Sequence, residues 1–276
     1  MSLMTWDEYK GFVGKLIANK YQVMCRGHTN ESWKLMTSFH RLGPGYQLTL
    51  AAYLDTVLPE IHYQIGAVRE EVIDLNNKEE FAAFLALLQH HGFPTPLLDW
   101  TMSPYIAAYF AFKEVTEPHP FSDNVKIYIF DYLEWLRTLT QPLDLRDISV
   151  RYVSLIRPYA RFTPRMVAQQ GMFTVTNVED MEQYISEVST QYKKKFLYDI
   201  LISSKEKPAV LRELNSMGIN EMTLFPGIDG ICRAMKARFF AADKIELISE
   251  LMQKTITPST GGPVADEKPT PNGTQS

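Results

Sequence analysis

Apolar and polar positions along this chain fall into two periods. Thr5 and Glu8 stand at capping-box spacing before "YKGFVGKLIA", which predicts a helix opening near Trp6. In "YQVMCRGH", Tyr21, Val23 and Cys25 alternate with Gln22 and Met24, so a short strand ending at Arg26 is expected. A long helical segment spans Tyr46 to Val72, with a kink expected near Pro59. Asn77 and Glu80 cap a further helix whose apolar face is Phe81, Phe84, Leu85 and Leu88, and Gly92 is placed to end it.

The second half continues the mixture. A strand is expected over about Pro96 to Trp100 and a helix over about Ser103 to Lys113. "VKIYIF", "GMFTVT", "LYDILI" and "EMTLF" read as strands. "EDMEQYISEVSTQYKKKF", "PAVLRELNSMG" and "GICRAMKARFF" read as helices, the middle one starting at Pro208 and ending at Gly218. Tyr132 to Arg165 has no clear period. Strands spaced this irregularly do not form a βαβ series, so the expected fold is α+β in a single domain over residues 1–256. From 257 to 276 the chain is rich in Pro, Gly and Thr, which predicts a disordered tail.

Composition narrows the class. The 276 residues are 45% hydrophobic and 22% charged, enough apolar material for one large core or two small ones. No apolar run reaches the ~18 residues of a membrane span, and the N-terminus carries no secretion signal. Two distant cysteines, Cys25 and Cys232, form no disulfide framework, so a reducing cytoplasm is expected. A net charge of −4 argues against strong nonspecific nucleic-acid affinity over the whole surface but leaves room for a local basic groove.

Most familiar chemical motifs are absent. His90 and His91 are adjacent, about 100° apart on a helix, whereas zinc ligands recur at i, i+4 or as paired cysteines, so no metal is expected. Neither Gly-x-Gly-x-x-Gly, a Walker pattern nor Gly-x-Ser-x-Gly occurs. Three stations remain. Arg26, before Gly27, can grip a phosphate or pair with a carboxylate. "LLDWTMSPYIAAYFA" brings Thr101 and Ser103 to a corner, where Asp99 can cap the turn, and repeats Tyr105 and Tyr109 at i, i+4 on a helix otherwise suited to the core. Glu221 opens the expected strand "EMTLF" and can serve chemistry or face solvent.

Four blocks in order, "CRGHTNESWKLMTSFHR", "QHHGFPTPLLDWTMSPYIAAYFAF", "RMVAQQGMFTV" and "GINEMTLFPGIDGI", resemble the FRG-domain family, named for a Phe-Arg-Gly motif and carrying a Gln-His-x-Gly … Thr-Arg-Leu-Leu-Asp-Trp-Thr block. Cys25 stands at the usual aromatic position and Pro96 at the usual arginine, so any anion contact from the latter is missing. The order Arg, Ser/Thr, Glu also resembles the layout of ADP-ribosyltransferases, which implies a split, mixed or antiparallel sheet with flanking helices and NAD as co-substrate. By that resemblance Arg26, with Gly27 and His28, holds the NAD phosphate or ribose. Thr101, or else Ser103, orients the nicotinamide ribose, and Tyr105 or Tyr109 walls the nicotinamide pocket. Glu221 binds the ribose 2′-hydroxyl and stabilises developing positive charge.

His90, His91, Arg165, Gln169 and Gln170 are candidates for substrate contact, with a structural loop as the alternative for the last three. The implied function is ADP-ribose transfer to a nucleic-acid or protein target by a toxin or antiphage effector, with an antitoxin or chaperone as a possible partner and no membrane. The alternative is a non-catalytic module that senses a nucleotide or a partner. A nucleic-acid target would use "YKKKF", or Trp33, Phe39 and His40 as stacking residues, although a solvated helix face and core packing explain these residues equally well.

Overall fold

The computed structural model describes residues 2–43, 48–69, 73–116, 122–142, 147–157 and 164–240. The chain divides into two compact units, Met1–Ile231 and Cys232–Ser276. The elements below belong to the first, except that the last helix continues into the second. The expected tail over 257–276, and the ends of the expected helical segment at 46–47 and 70–72, lie outside the described residues.

The strands are β1 (Ser2–Met4), β2 (Met24–His28), β3 (Leu97–Thr101), β4 (Asn124–Phe130), β5 (Val153–Ile156), β6 (Gly171–Thr176) and β7 (Leu197–Ser203). Among the described residues they form one mixed sheet in the order β1-β7-β4-β2-β3-β6-β5. β1 runs parallel to β7, and every other neighbouring pair is antiparallel. The helices are α1 (Trp6–Ala18), α2 (Leu50–Ala52), α3 (Leu58–Gly66), α4 (Lys78–His90), α5 (Pro104–Phe112), α6 (Tyr132–Thr138), α7 (Pro164–Ala168), α8 (Met181–Tyr192), α9 (Lys207–Ser216), α10 (Glu221–Leu224) and α11 (Ile228–Phe239). The α+β class is thus as expected. None of the described helices is long and apolar enough to cross a membrane.

Local signals account for most helix ends. The Thr5 hydroxyl accepts from the Glu8 N–H and the Glu8 carboxylate accepts from the Thr5 N–H, closing the capping box of α1. Thr5→Ala should cost about 1 kcal/mol, read as a melting temperature lower by roughly 2–4 °C. Asn77 caps α4, and Gly92, at φ +81°, turns the chain away from it. Between α2 and α3 lies one π-helical turn, Tyr53–Val57. Pro59, which lacks the N–H of a regular helix, follows in the first turn of α3, so the irregularity of the segment is this π-helical turn.

Three apolar clusters form the core on the two faces of the sheet. Cys25, Ile127, Ile129, Ile200 and Ile202 pack against α1, α5 and α9. Leu97, Phe173 and Val175 pack against α4 and the segment around Tyr53 and Leu58. Met24, Leu98, Trp100, Tyr128 and Phe130 pack against Trp135 of α6 and against α8. Cys25 is fully buried beneath α5, so the residue at the family's aromatic position serves packing.

The structure corrects several expectations. β2 continues past Arg26 to His28 because its ladder with β4 pairs Arg26 with Tyr128 and His28 with Lys126. The aperiodic stretch from Tyr132 holds α6 and β5. "EMTLF" is no strand. Gly218, at φ +79°, ends α9, and the Asn220 side chain then accepts from the Met222 and Thr223 N–H groups, starting the short helix α10. An apolar run this short has no period to separate strand from helix, and the cap decides.

Candidate functional site

The sheet opens between β2 and β3. Their ladder registers one pair, Cys25 with Thr101, whereas β2 and β4 register five. Arg26 reaches into the opening. Its Nη1 donates to the Asp99 carbonyl at 2.6 Å, and its Nε donates to His28 Nε2 at 2.9 Å. The Asp99 carboxylate lies 3.9 Å from Nη1. Burial pulls the Arg26 pKa below its ordinary value, the sign of a desolvated cation that favours an anionic partner.

A cavity of about 800 Å³ lies over this opening, lined by Arg26, Gly27, His28, Trp33, Arg41, Asp99, Thr101, Phe110 and Gln169 among others. Its size suits a nucleotide or dinucleotide. Gly27 lines it because α5 packs directly onto β2 at that point, with the Ala107 carbonyl and the Ala111 N–H where a Cβ would stand.

The wall is fastened by His28. The Arg26 guanidinium is always a donor, so His28 Nε2 must accept, and the ring proton sits on Nδ1, 3.2 Å from the Trp33 carbonyl that receives it. Burial first, then Arg26, pushes the His28 pKa down to about 3. The same Trp33 carbonyl accepts from the Tyr128 hydroxyl at 3.1 Å.

Of the two carboxylates that line the cavity, Asp99 and Glu114, Asp99 is the one beside Arg26. The protein packed around it raises its pKa, against the pull of Arg26, Arg41 and Gln89. It caps no turn. That work falls to Ser103, which accepts from the Ile106 N–H, while the Thr101 hydroxyl accepts from the Ser103 N–H. Gln89 sets the orientation of Asp99, since its Nε2 donates to Asp99 Oδ1 at 2.6 Å and its Oε1 accepts from the buried Thr95 hydroxyl. Of "QHHG", the glutamine rather than either histidine therefore reaches the site.

The other candidate residues divide by place. Thr101 and Gln169 share the cavity, joined by a Thr101 hydroxyl to Gln169 carbonyl bond of 2.7 Å. Gln170 follows at φ +49° and its carbonyl accepts from the Met102 N–H, holding the "AQQG" turn against the corner after β3. The Gln169 amide donates to the Leu224 carbonyl, which ties this turn to α10. Ser103, Tyr105, Tyr109, His90, His91, Arg165, Gln170 and Glu221 are not among the cavity's lining residues.

Glu221 lies on the far side of α5. Ala107 and Ala111 face Gly27, and Tyr109, about 200° round the helix from Ala107, faces away and donates from its hydroxyl to Glu221 Oε1 at 2.7 Å. Tyr105 stacks edge-on to Trp6 against α1. His90 and His91 are exposed at the end of α4, and their rings meet edge to face. Partial burial, then Arg165, lowers the His90 pKa. Arg165 itself lies over the Phe225 ring and 3.5 Å from Asp229.

Gln89, Arg41 and Lys34 were not singled out by sequence, and Asp99 was read only as a cap of the turn. The only signal for the two cations was their place in the polar segment between β2 and α2. Of the aromatics there, Trp33 is 53% exposed, whereas Phe39 is core against Tyr53. His40 is half-buried on Thr37. Among the described residues no group of three or more His, Cys, Asp or Glu is arranged to hold a metal ion.

No curated protein and no solved structure was found to match the chain. A family model does match, and it covers β2, the polar segment with Trp33 and Arg41, α4, β3 and α5, the elements that build most of this cavity. It is the model of the FRG domain, and it matches residues 21–119.

Proposed function

We propose that the Arg26 cavity binds NAD and that the domain transfers its ADP-ribose to a macromolecular target, nucleic acid or protein, as a toxin or antiphage effector. The observation that carries the reading is the meeting of Arg26, Arg41, Asp99 and Thr101 in one cavity at the opening of the sheet. Among the described residues, Arg26 leaves Nη2 without a partner, a donor for a phosphate oxygen. Asp99 supplies a fixed carboxylate. When the bond from nicotinamide to ribose breaks, positive charge gathers on the ribose, and a preoriented carboxylate stabilises that state more than the ground state. Gln89 holds Asp99 in place for this task. The charge-stabilising role thus passes from Glu221, the residue implied by the resemblance, to Asp99. Toxicity on expression tests the biological setting.

Nicotinamide release and transfer of label from NAD to a cell lysate test the reaction. Asp99→Asn should lower turnover at least ~10²-fold with NAD affinity retained, while Glu221→Gln should leave turnover nearly unchanged. The reverse pattern would return the role to Glu221. One observation favours a second reading, a nucleotide-sensing module without turnover. The glutamate that completes the transferase layout is not among the residues lining the cavity. NAD binding with no nicotinamide release by the folded wild type would establish that reading.

A further inference from the structure

We propose that Trp33 is the base-stacking platform of the cavity, and that its ligand is a nucleotide whose planar base lies on the indole while its phosphate meets Arg26 and Arg41. Large aromatic side chains are normally buried, and Trp6, Trp100 and Trp135 are 3%, 3% and 1% exposed, whereas Trp33 is 53% exposed and lines the cavity. Nothing about its backbone is loose. Asn30, itself buried, accepts from the Ser32 N–H and hydroxyl through its side chain and from the Trp33 N–H through its carbonyl. The Trp33 carbonyl accepts from both Tyr128 and His28. Lys34 is bound to Asp180, and the Leu35 N–H donates to Glu182. These bonds hold the segment on both sides of the indole, and among the described residues its aromatic neighbour is His28, edge-on at 6.2 Å. A half-exposed indole that lines one cavity with two guanidinium groups matches a planar π-system joined to an anion, which is the chemistry of a nucleotide.

The inference rests on the cavity being the nucleotide site and does not depend on turnover there. Trp100 also lines the cavity, so the Trp33 signal on addition of AMP or NAD is the part of the intrinsic fluorescence that Trp33→Leu lacks. AMP and NAD should quench it and ribose 5-phosphate should not. Calorimetry, which needs no tryptophan signal, should show Trp33→Leu weakening AMP by roughly 5- to 150-fold, the range of one lost base stack, with Trp33→Phe keeping most of the affinity. AMP bound equally by wild type and a folded Trp33→Leu protein, or ribose 5-phosphate bound as tightly as AMP, would overturn the platform while leaving the nucleotide site standing. Trp33-dependent AMP binding without nicotinamide release would leave the platform standing and remove the transferase reading. A folded wild type that binds no nucleotide would remove both.

Discussion

Gly27→Ala should unfold the domain or lower its melting temperature by ~10 °C or more. A Cβ on Gly27 would lie 2.0 Å from the Ala107 carbonyl oxygen and 2.6 Å from the Ala111 nitrogen. Both are backbone atoms of α5, so no rotamer change relieves the clash, and the helix must move off β2. α5 is among the most apolar parts of the core, with Ile106, Ala107, Ala108, Ala111 and Phe112 buried against β2 and β4. Shifting it disturbs that cluster as a whole, which places the loss at about 4 kcal/mol or more. For a domain of this size that is the predicted thermal shift. Gly11→Ala, on α1 where a Cβ meets nothing, should be neutral or mildly stabilising and serves as the control. A Gly27→Ala protein that melts with the wild type would mean that α5 does not pack as described. The glycine of the Phe-Arg-Gly motif therefore has a packing reason, which operates beside the cavity that its arginine serves.

The second large effect is a loss of stability in acid. In the folded chain His28 stays neutral down to about pH 3, while in the unfolded chain it takes up a proton below its ordinary 6.5. Between those values the unfolded state binds more protons, so stability present above pH 6.5 is lost as the pH falls toward 3. The shift corresponds to about 5 kcal/mol over the window. Protonation would also set a second N–H against Arg26 Nε, breaking the contact that holds the guanidinium. Half-buried His40, lowered by burial, acts in the same direction, and Asp99, raised by burial, acts in the opposite one. The His28 part is therefore read by difference. Denaturant unfolding from pH 7 to 4 should show a steep fall for wild type and a shallower one for His28→Gln. Parallel curves would show that His28 is not held neutral in the fold.

Some elements were legible because their causes are local. Thr5 with Glu8, Asn77 with its following N–H groups and Gly92 fix helix ends within a few residues, and "VKIYIF" needs no partner to read as a strand. β1 escaped notice because three residues carry no period, and it exists only by pairing with β7. The site was half legible. Arg26, Gly27, His28, Thr101 and Gln169 lie together in the cavity, while Glu221 lies beyond α5. Asp99 was read as a cap because a short polar residue near a turn most often is one.

By itself the sequence determined the α+β class, most helix boundaries and the FRG resemblance, all of which follow from period, caps and contiguous motifs. Only the tertiary structure decided which carboxylate faces Arg26. That choice depends on β3 pairing beside β2, 73 residues along the chain from Arg26. Gln89, ten residues before Asp99, must also reach it from another element. Spacing along the chain encodes neither, because the contacts that bring these groups together join strands and helices far apart in sequence.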